Sequence, residues 1–149
     1  MDLVKELQQT FDENIPLVGG LEAKVESYDG QTLEIALPLA ANVNHKNTAF
    51  GGSLYCAAVL SAWGVLYLKL REAKEEGVIV IFDGRIHYHK PVTTGFVSIS
   101  EQSDNAAWQR FLKIYRRMGK SRLKINSDII CGGEVCVSFM GEFVVQKSE

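Results

Sequence analysis

The feature that most limits what this chain can fold into is the run from Ser53 to Lys74. It contains no proline and one glycine, Gly64, and it carries almost no polar stripe until its end. Leu54, Ala57, Ala58, Leu60, Ala62, Trp63, Val65, Leu66, Leu68 and Leu70 would make a helix apolar on nearly every side; Lys69, Arg71 and Glu72 mark where it leaves the core. A helix apolar all round is a buried helix. The pattern predicts one from Ser53 to about Ala73, finished before Gly77. Such a helix needs more cover than one flat sheet face can give. A curved antiparallel sheet of five or six strands enclosing it meets that need.

The rest of the chain can supply those strands. Leu3, Val4, Leu7 and Phe11 share one face of a short amphipathic helix over residues 2–12. Pro16 is expected to stop it, and Gly19-Gly20 to turn the chain. Residues 21–28 and 31–38 read as two strands around Tyr28-Asp29-Gly30-Gln31, with Leu33, Ile35 and Leu37 alternating with Thr32, Glu34 and Ala36. A polar loop from Leu39 to Phe50 follows. Val78-Ile79-Val80-Ile81-Phe82 is continuously apolar, as in a strand buried on both faces, and runs on toward Pro91. Residues 92–100 supply another strand, and 106–118 a helical or irregular connection with a basic end. Two last strands, about 121–131 and 134–145, flank the tight-turn pair Gly132-Gly133. With no internal repeat and no linker, the 149 residues read as one α+β domain.

Composition removes several function classes. A net charge of -2 argues against nucleic acid, whose binders present a basic face. No apolar stretch reaches the roughly 18 residues a membrane span needs, and the N-terminus lacks a signal-peptide pattern. Cys56, Cys131 and Cys136 are odd in number and lack a CxxC spacing, so they read as reduced thiols of a cytoplasmic protein without structural zinc.

The segment Asn44-His45-Lys46-Asn47-Thr48-Ala49-Phe50-Gly51-Gly52-Ser53-Leu54 is similar to the loop-to-helix junction of hotdog thioesterases, many of which open their central helix with His-Gly-Gly. With Phe50 in place of that histidine, and Trp63-Gly64 further along, the chain resembles the YiiD-type thioesterase domain. Ile86-His87-Tyr88-His89-Lys90-Pro91-Val92 and Met118-Gly119-Lys120-Ser121-Arg122 are also similar to that family. The resemblance implies a hotdog fold, a long central helix wrapped by a curved antiparallel sheet. It further implies a homodimer or dimer of dimers whose sheets join edge to edge. The implied activity is hydrolysis of an acyl-CoA or acyl-carrier-protein thioester at the dimer interface, with no cofactor, no nucleic acid and no membrane. Two other readings stay open: a non-catalytic acyl- or CoA-binding or regulatory module, and an accessory domain to an acetyltransferase.

Thioester hydrolysis passes through a tetrahedral oxyanion, and a helix N-terminus offers free N–H groups and positive potential where that charge develops. The resemblance puts the oxyanion donor on the Gly51 N–H and Asn44 on the attacking water or the carbonyl. Phe50, Gly52, Ser53 and Cys56, next to these along the junction and the first turns of the helix, are the candidate substrate-binding residues. Many better-known relatives carry an acid nine residues after the motif histidine; the corresponding residue here is Val59, which takes no proton.

Substitute bases are few. Asp83 sits in an apolar strand and shares a face with Arg85, so it is either half of an ion pair or a proton acceptor. His45 is either an exposed loop histidine or a base beside Asn44. Cys56 is a small apolar filler or, in the first turns of the helix, a stabilised thiolate. Ser53 and Ser61 read as capping or packing residues. His87 and His89 share a strand face but lack an evident third ligand, so no metal is expected. Arg110, Lys113, Arg116, Arg117, Lys120 and Arg122 form either a solvated face or a patch for CoA phosphates, phosphopantetheine or an acidic carrier.

Overall fold

The computed structural model of the chain describes residues 2–148. Helix α1 (Leu3–Asn14) is capped by Asp2, whose Oδ1 accepts the N–H groups of Val4 and Lys5 at 3.0 and 3.3 Å. Leu7 and Phe11 are its buried residues. α1 ends before Pro16, as expected, but Pro16 has a second role. After a break at Ile15 it opens α2 (Pro16–Leu21), in the first turn, where its missing N–H has no helical partner to lose. Gly19 and Gly20 lie inside α2, and Glu22, with φ 53°, makes the turn instead. Gln8 ties α1 to the sheet, accepting the Val25 N–H at 2.7 Å and donating to the Ala23 carbonyl at 3.3 Å.

Six strands form one antiparallel sheet: β1 (Lys24–Tyr28), β2 (Thr32–Leu37), β3 (Val78–Tyr88), β4 (Phe96–Glu101), β5 (Lys120–Cys131) and β6 (Glu134–Gln146). Their order is β1-β2-β4-β5-β6-β3. Helix α3 (Gly51–Glu72) packs against β2, β3, β4, β5 and β6. It starts ahead of Ser53 because Phe50 is the last extended residue, with φ -66° and ψ 132°. Contrary to the reading of the sequence, α3 is by length and composition apolar enough to cross a membrane; here most of that apolar window is buried inside the protein. Gly64 stands where α1, β2 and α3 meet. A β-carbon there would lie 2.6 Å from Leu33 Cδ2 and 3.1 Å from Leu7 Cδ2.

The α3–sheet contact contains one polar knot. Ser61 Oγ lies 2.7 Å from Ser98 Oγ and 3.1 Å from Ser127 Oγ, and the hydroxyls of Ser61 and Ser127 both donate to the Ala58 carbonyl. All three serines are buried. The segment expected as a helical or irregular connection is helix α4 (Asn105–Met118), capped by Asp104 and ended by Gly119 at φ 73°. It buries Trp108, Phe111, Leu112 and Tyr115. The Tyr115 hydroxyl donates to the Glu76 carbonyl, and Arg116 pairs with Glu75 at 2.9 Å.

A further expectation is overturned. β3 is not buried on both faces; it is an edge strand that pairs only with β6. Val78, Val80 and Phe82 are 54%, 49% and 48% exposed, while Ile79 is buried. The apolar run reflects a free sheet edge and a half-exposed outer face; among the described residues α3, on the inner face, is the helix packed against β3.

Candidate functional site at the start of helix α3

The junction sequence folds into a small closed loop before the helix. Val43 bridges Ala49, the Asn44 N–H donates to the Thr48 carbonyl at 2.8 Å, and Asn47 takes φ 62° at the turn. The loop is pinned on both sides: the Ala49 N–H donates to the Val92 carbonyl at 2.8 Å and the Phe50 N–H to the Asn42 carbonyl at 2.7 Å. Chain entry into α3 is therefore fixed from two directions.

Among the described residues no side chain caps α3. Its first N–H groups, on Gly51, Gly52 and Ser53, are the ones a helix cannot satisfy internally. The two glycines differ in their surroundings. A β-carbon at Gly52 would lie 2.6 Å from Cε2 of Phe50, whose ring folds back over it, whereas one at Gly51 would meet only the Tyr88 ring at 3.5 Å or more. Neither glycine is needed for helix–sheet packing. Both leave the helix start uncovered by a side chain of its own, with Phe50 half-exposed beside it.

Tyr88 is the residue at this site that reading the junction alone misses. Its hydroxyl donates to the Gly51 carbonyl at 2.9 Å. Burial raises its pKa above the ordinary tyrosine value, helped by Tyr55 and Cys56 nearby, so the phenol is a neutral donor rather than a base. A strict period-2 reading from Ile79 would have turned it outward; the bulge between Ile81 and Asp83 switches the faces, so that Gly84, Ile86 and Tyr88 share the face toward α3, where a β-carbon at Gly84 would collide with the Tyr55 hydroxyl.

The candidate residues named from the sequence separate. Asn44 is engaged by its own loop. Its Oδ1 accepts the N–H groups of Lys46 and Thr48 at 2.8 and 3.2 Å, and its Nδ2 donates to Thr48 Oγ1 at 2.8 Å. The second Nδ2 hydrogen is left over. His45 is exposed near the loop tip and makes no hydrogen bond with any described residue. Asp83 pairs in register with Glu142, on the face of β3 opposite Gly84, and is exposed. It therefore points away from α3, and among the described residues no ion pair joins it to Arg85.

Cys56 is half-buried, and burial pushes its thiol pKa up, against the reading of a stabilised thiolate. Ser61 is committed to the buried serine knot. Ser53 lies in the first turn, half-buried, and Val59 is half-buried against the core. The rings of His87 and His89 stack 4.5 Å apart at the surface, His89 sharing a hydrogen bond with Ser138, and among the described residues no cluster of three ligating side chains forms. The basic run is mostly solvent-facing on α4 and β5; Arg122 lies 5.7 Å from the Phe82 ring centre.

The family model described as "Putative thioesterase (yiiD_Cterm)" matches residues 4–147. Among solved structures, a protein of unknown function from Chlorobaculum tepidum is 33% identical with a TM-score of 0.95, covering 98% of this chain and 95% of that one. A protein from Shewanella oneidensis, described as a putative thioesterase, is 30% identical at TM-score 0.85, covering 98% and 99%. A Haemophilus influenzae thioesterase at 15% identity and TM-score 0.76, covering 98% and 92%, shares the fold. A six-stranded antiparallel sheet wrapped around one long helix, matched over nearly its whole length by that family model, makes this chain a hotdog-fold member of the YiiD_C family.

Proposed function

We propose that this protein hydrolyses an acyl thioester, carried on CoA or on an acyl carrier protein, at the N-terminus of α3. The observation that carries the reading is the uncapped start of α3 at Gly51-Gly52, flanked by the apolar surfaces of Phe50 and Tyr88. Free N–H groups at the positive end of a long helix are preorganised to receive a developing oxyanion. Tyr88 holds the Gly51 carbonyl and so fixes the direction of that first turn.

A second copy completes the site in this proposal. β3 leaves a long apolar edge unpaired, and such an edge is a template for pairing with another strand. A twofold dimer that continues the sheet across β3 sets Tyr88 and the α3 start of each chain close to the joint. Continuing the sheet keeps its two faces distinct, so Asp83 of either chain stays on the outer face and is not the base. The titratable group left at the junction is His45, reached by a bend of its loop, with the spare Nδ2 hydrogen of Asn44 orienting the water or the carbonyl.

One observation favours a second reading. Among the described residues no carboxylate or imidazole hydrogen-bonds at the α3 start, where Tyr88 is a neutral donor, and Val59 stands where many relatives carry an acid, which suits a module that binds acyl groups without cleaving them. A panel of acyl-CoA and acyl-carrier substrates with a thiol-detecting reagent separates the two. Thiol release that falls in Asn44→Ala and His45→Ala but persists in Asp83→Asn supports hydrolysis as proposed. Tight acyl binding without thiol release supports the binding module. Light scattering that finds only monomer at micromolar concentration overturns the shared site.

A further inference from the structure

The two buried cysteines of the last hairpin lie together, and the reason is a bulge. β5 ends at Cys131 and β6 begins at Glu134, joined by Gly132 and Gly133 at φ 59° and 77°. Cys131 pairs with Glu134 and Ile130 with Val135, and then the register slips so that Ile129 meets Val137. The slip leaves Cys136 as the extra residue, and Cys136 and Val137 both turn inward. Cys136 thus joins Cys131 on the inner face. Its Sγ donates to the Cys131 carbonyl oxygen at 3.9 Å.

The two sulfurs differ chemically. Around Cys131 Sγ stand the Thr94 hydroxyl oxygen at 3.1 Å and the backbone N–H groups of Thr93 and Thr94. The Thr94 hydroxyl also reaches the Gly95 carbonyl and can turn its proton to the sulfur instead. Burial raises the Cys131 pKa, but these donors outweigh it and the thiol lies below its ordinary value. Burial pushes Cys136 up, with Cys131 adding to the rise. Cys56 on α3 has burial alone acting on it. One thiol whose ionisation its neighbours favour, beside one whose ionisation burial opposes, is the arrangement of an attacking and a resolving cysteine.

We propose that Cys131 and Cys136 form a modification site for hydroperoxides, Cys131 being oxidised and Cys136 resolving it to an intramolecular disulfide. The Cys131 thiolate attacks the terminal peroxide oxygen. The O–O bond breaks, the alkoxide or hydroxide leaves with a proton, and Cys131 becomes a sulfenic acid. The Cys136 sulfur then attacks Cys131 Sγ, the S–O bond breaks and water leaves, so the two sulfurs together give up the two electrons the peroxide takes. The disulfide has a route to the α3 junction. The Cys136 carbonyl accepts the N–H groups of His89 and Lys90 at 2.8 and 3.1 Å, directly after Tyr88.

The test is peroxide treatment of the full chain followed by unfolding, N-ethylmaleimide labelling and intact mass. The reduced protein takes up three labels, one per cysteine. The oxidised protein is expected to take up one, on Cys56, to be lighter by two hydrogens before labelling, and to recover three after dithiothreitol. Peptide mapping is expected to join Cys131 to Cys136, and Thr94→Val to slow the reaction severalfold. Three labels after peroxide, or a disulfide that involves Cys56 or joins two chains, overturns the proposal. The readout is a mass, so it is independent of whether thioester hydrolysis is found.

Discussion

Replacing Ser61 by alanine separates two roles that a serine on a central helix can have. Ser98 Oγ has Ser61 as its side-chain partner, and both residues are fully buried. Ser127 keeps its bond to the Ala58 carbonyl at 2.9 Å when Ser61 is truncated. Ser61→Ala therefore removes Ser61's own bonds, each worth about 1 kcal/mol net, and strands the Ser98 hydroxyl at a further ~1–2 kcal/mol. With two such bonds lost, one to Ser98 and one to Ser127, the expected loss is about 3–4 kcal/mol, a fall in Tm of roughly 6–16 °C for a chain of this size. The second half of the prediction is non-additivity. Adding Ser98→Ala removes the stranded hydroxyl, so the double variant should be less destabilised than the sum of the two singles by about 1 kcal/mol. Urea unfolding followed by tryptophan fluorescence, at fixed protein concentration, measures both. Well below its Tm, Ser61→Ala should keep wild-type acyl-thioester turnover, because no substrate atom reaches a fully buried hydroxyl. A cost below about 0.5 kcal/mol, strict additivity, or a turnover loss in the folded variant would refute the reasoning.

Three further predictions test other parts of the molecule. Tyr88→Phe removes a hydrogen bond of about 1 kcal/mol at the start of α3 and should lower kcat/KM for an acyl-CoA roughly fivefold, read by thiol release, with the fold retained by circular dichroism. Gly84→Ala sets a β-carbon against the Tyr55 hydroxyl and should destabilise by about 1–3 kcal/mol in thermal unfolding, whereas Gly30→Ala meets no neighbour and costs only the strain of its φ of 98°. The Asp29 carboxylate accepts the N–H groups of Thr32 and Gln31, which hold its pKa below the ordinary 3.8. A depressed folded-state pKa stabilises the β1–β2 turn above 3.8 and loses that contribution as pH falls through the lower folded value. Asp29→Ala should therefore flatten the acid limb of a stability–pH curve below about pH 4 and leave its alkaline limb unchanged.

The central helix is legible in the sequence because its pattern admits one solution. Leu54 through Leu70 offer no polar face, so something must surround them, and alternation in Thr32–Leu37 and 121–131 names the surrounding strands. Gly132-Gly133 likewise marks its hairpin, since both positions need positive φ. Local patterns carry this information because burial on a helix or strand repeats every few residues. They also fall short in places. Pro16 breaks α1 but starts α2, since a proline without N–H suits a first turn as well as an end. Val78 to Phe82 reads as doubly buried, but an edge strand with an uncovered face has the same composition.

The site depends on tertiary structure more heavily still. The junction Asn44 to Leu54 and its likeness to thioesterases can be read in order, yet the order of residues does not say which way a side chain turns. Asp83 and Tyr88 lie on the same strand, and only register against β6, with the bulge between Ile81 and Asp83, sends Asp83 outward and Tyr88 onto Gly51. Asn44 reads as free to hold a water, but the closed loop folds its amide back onto Lys46 and Thr48. Cys131 and Cys136 read as two separate reduced thiols, and a one-residue slip in pairing brings them together. Sequence alone determines what has to be buried, because apolar surface is written residue by residue. Which polar groups meet is decided by strand register and loop closure, because hydrogen bonds join positions far apart in the chain and a shift of one residue exchanges the faces.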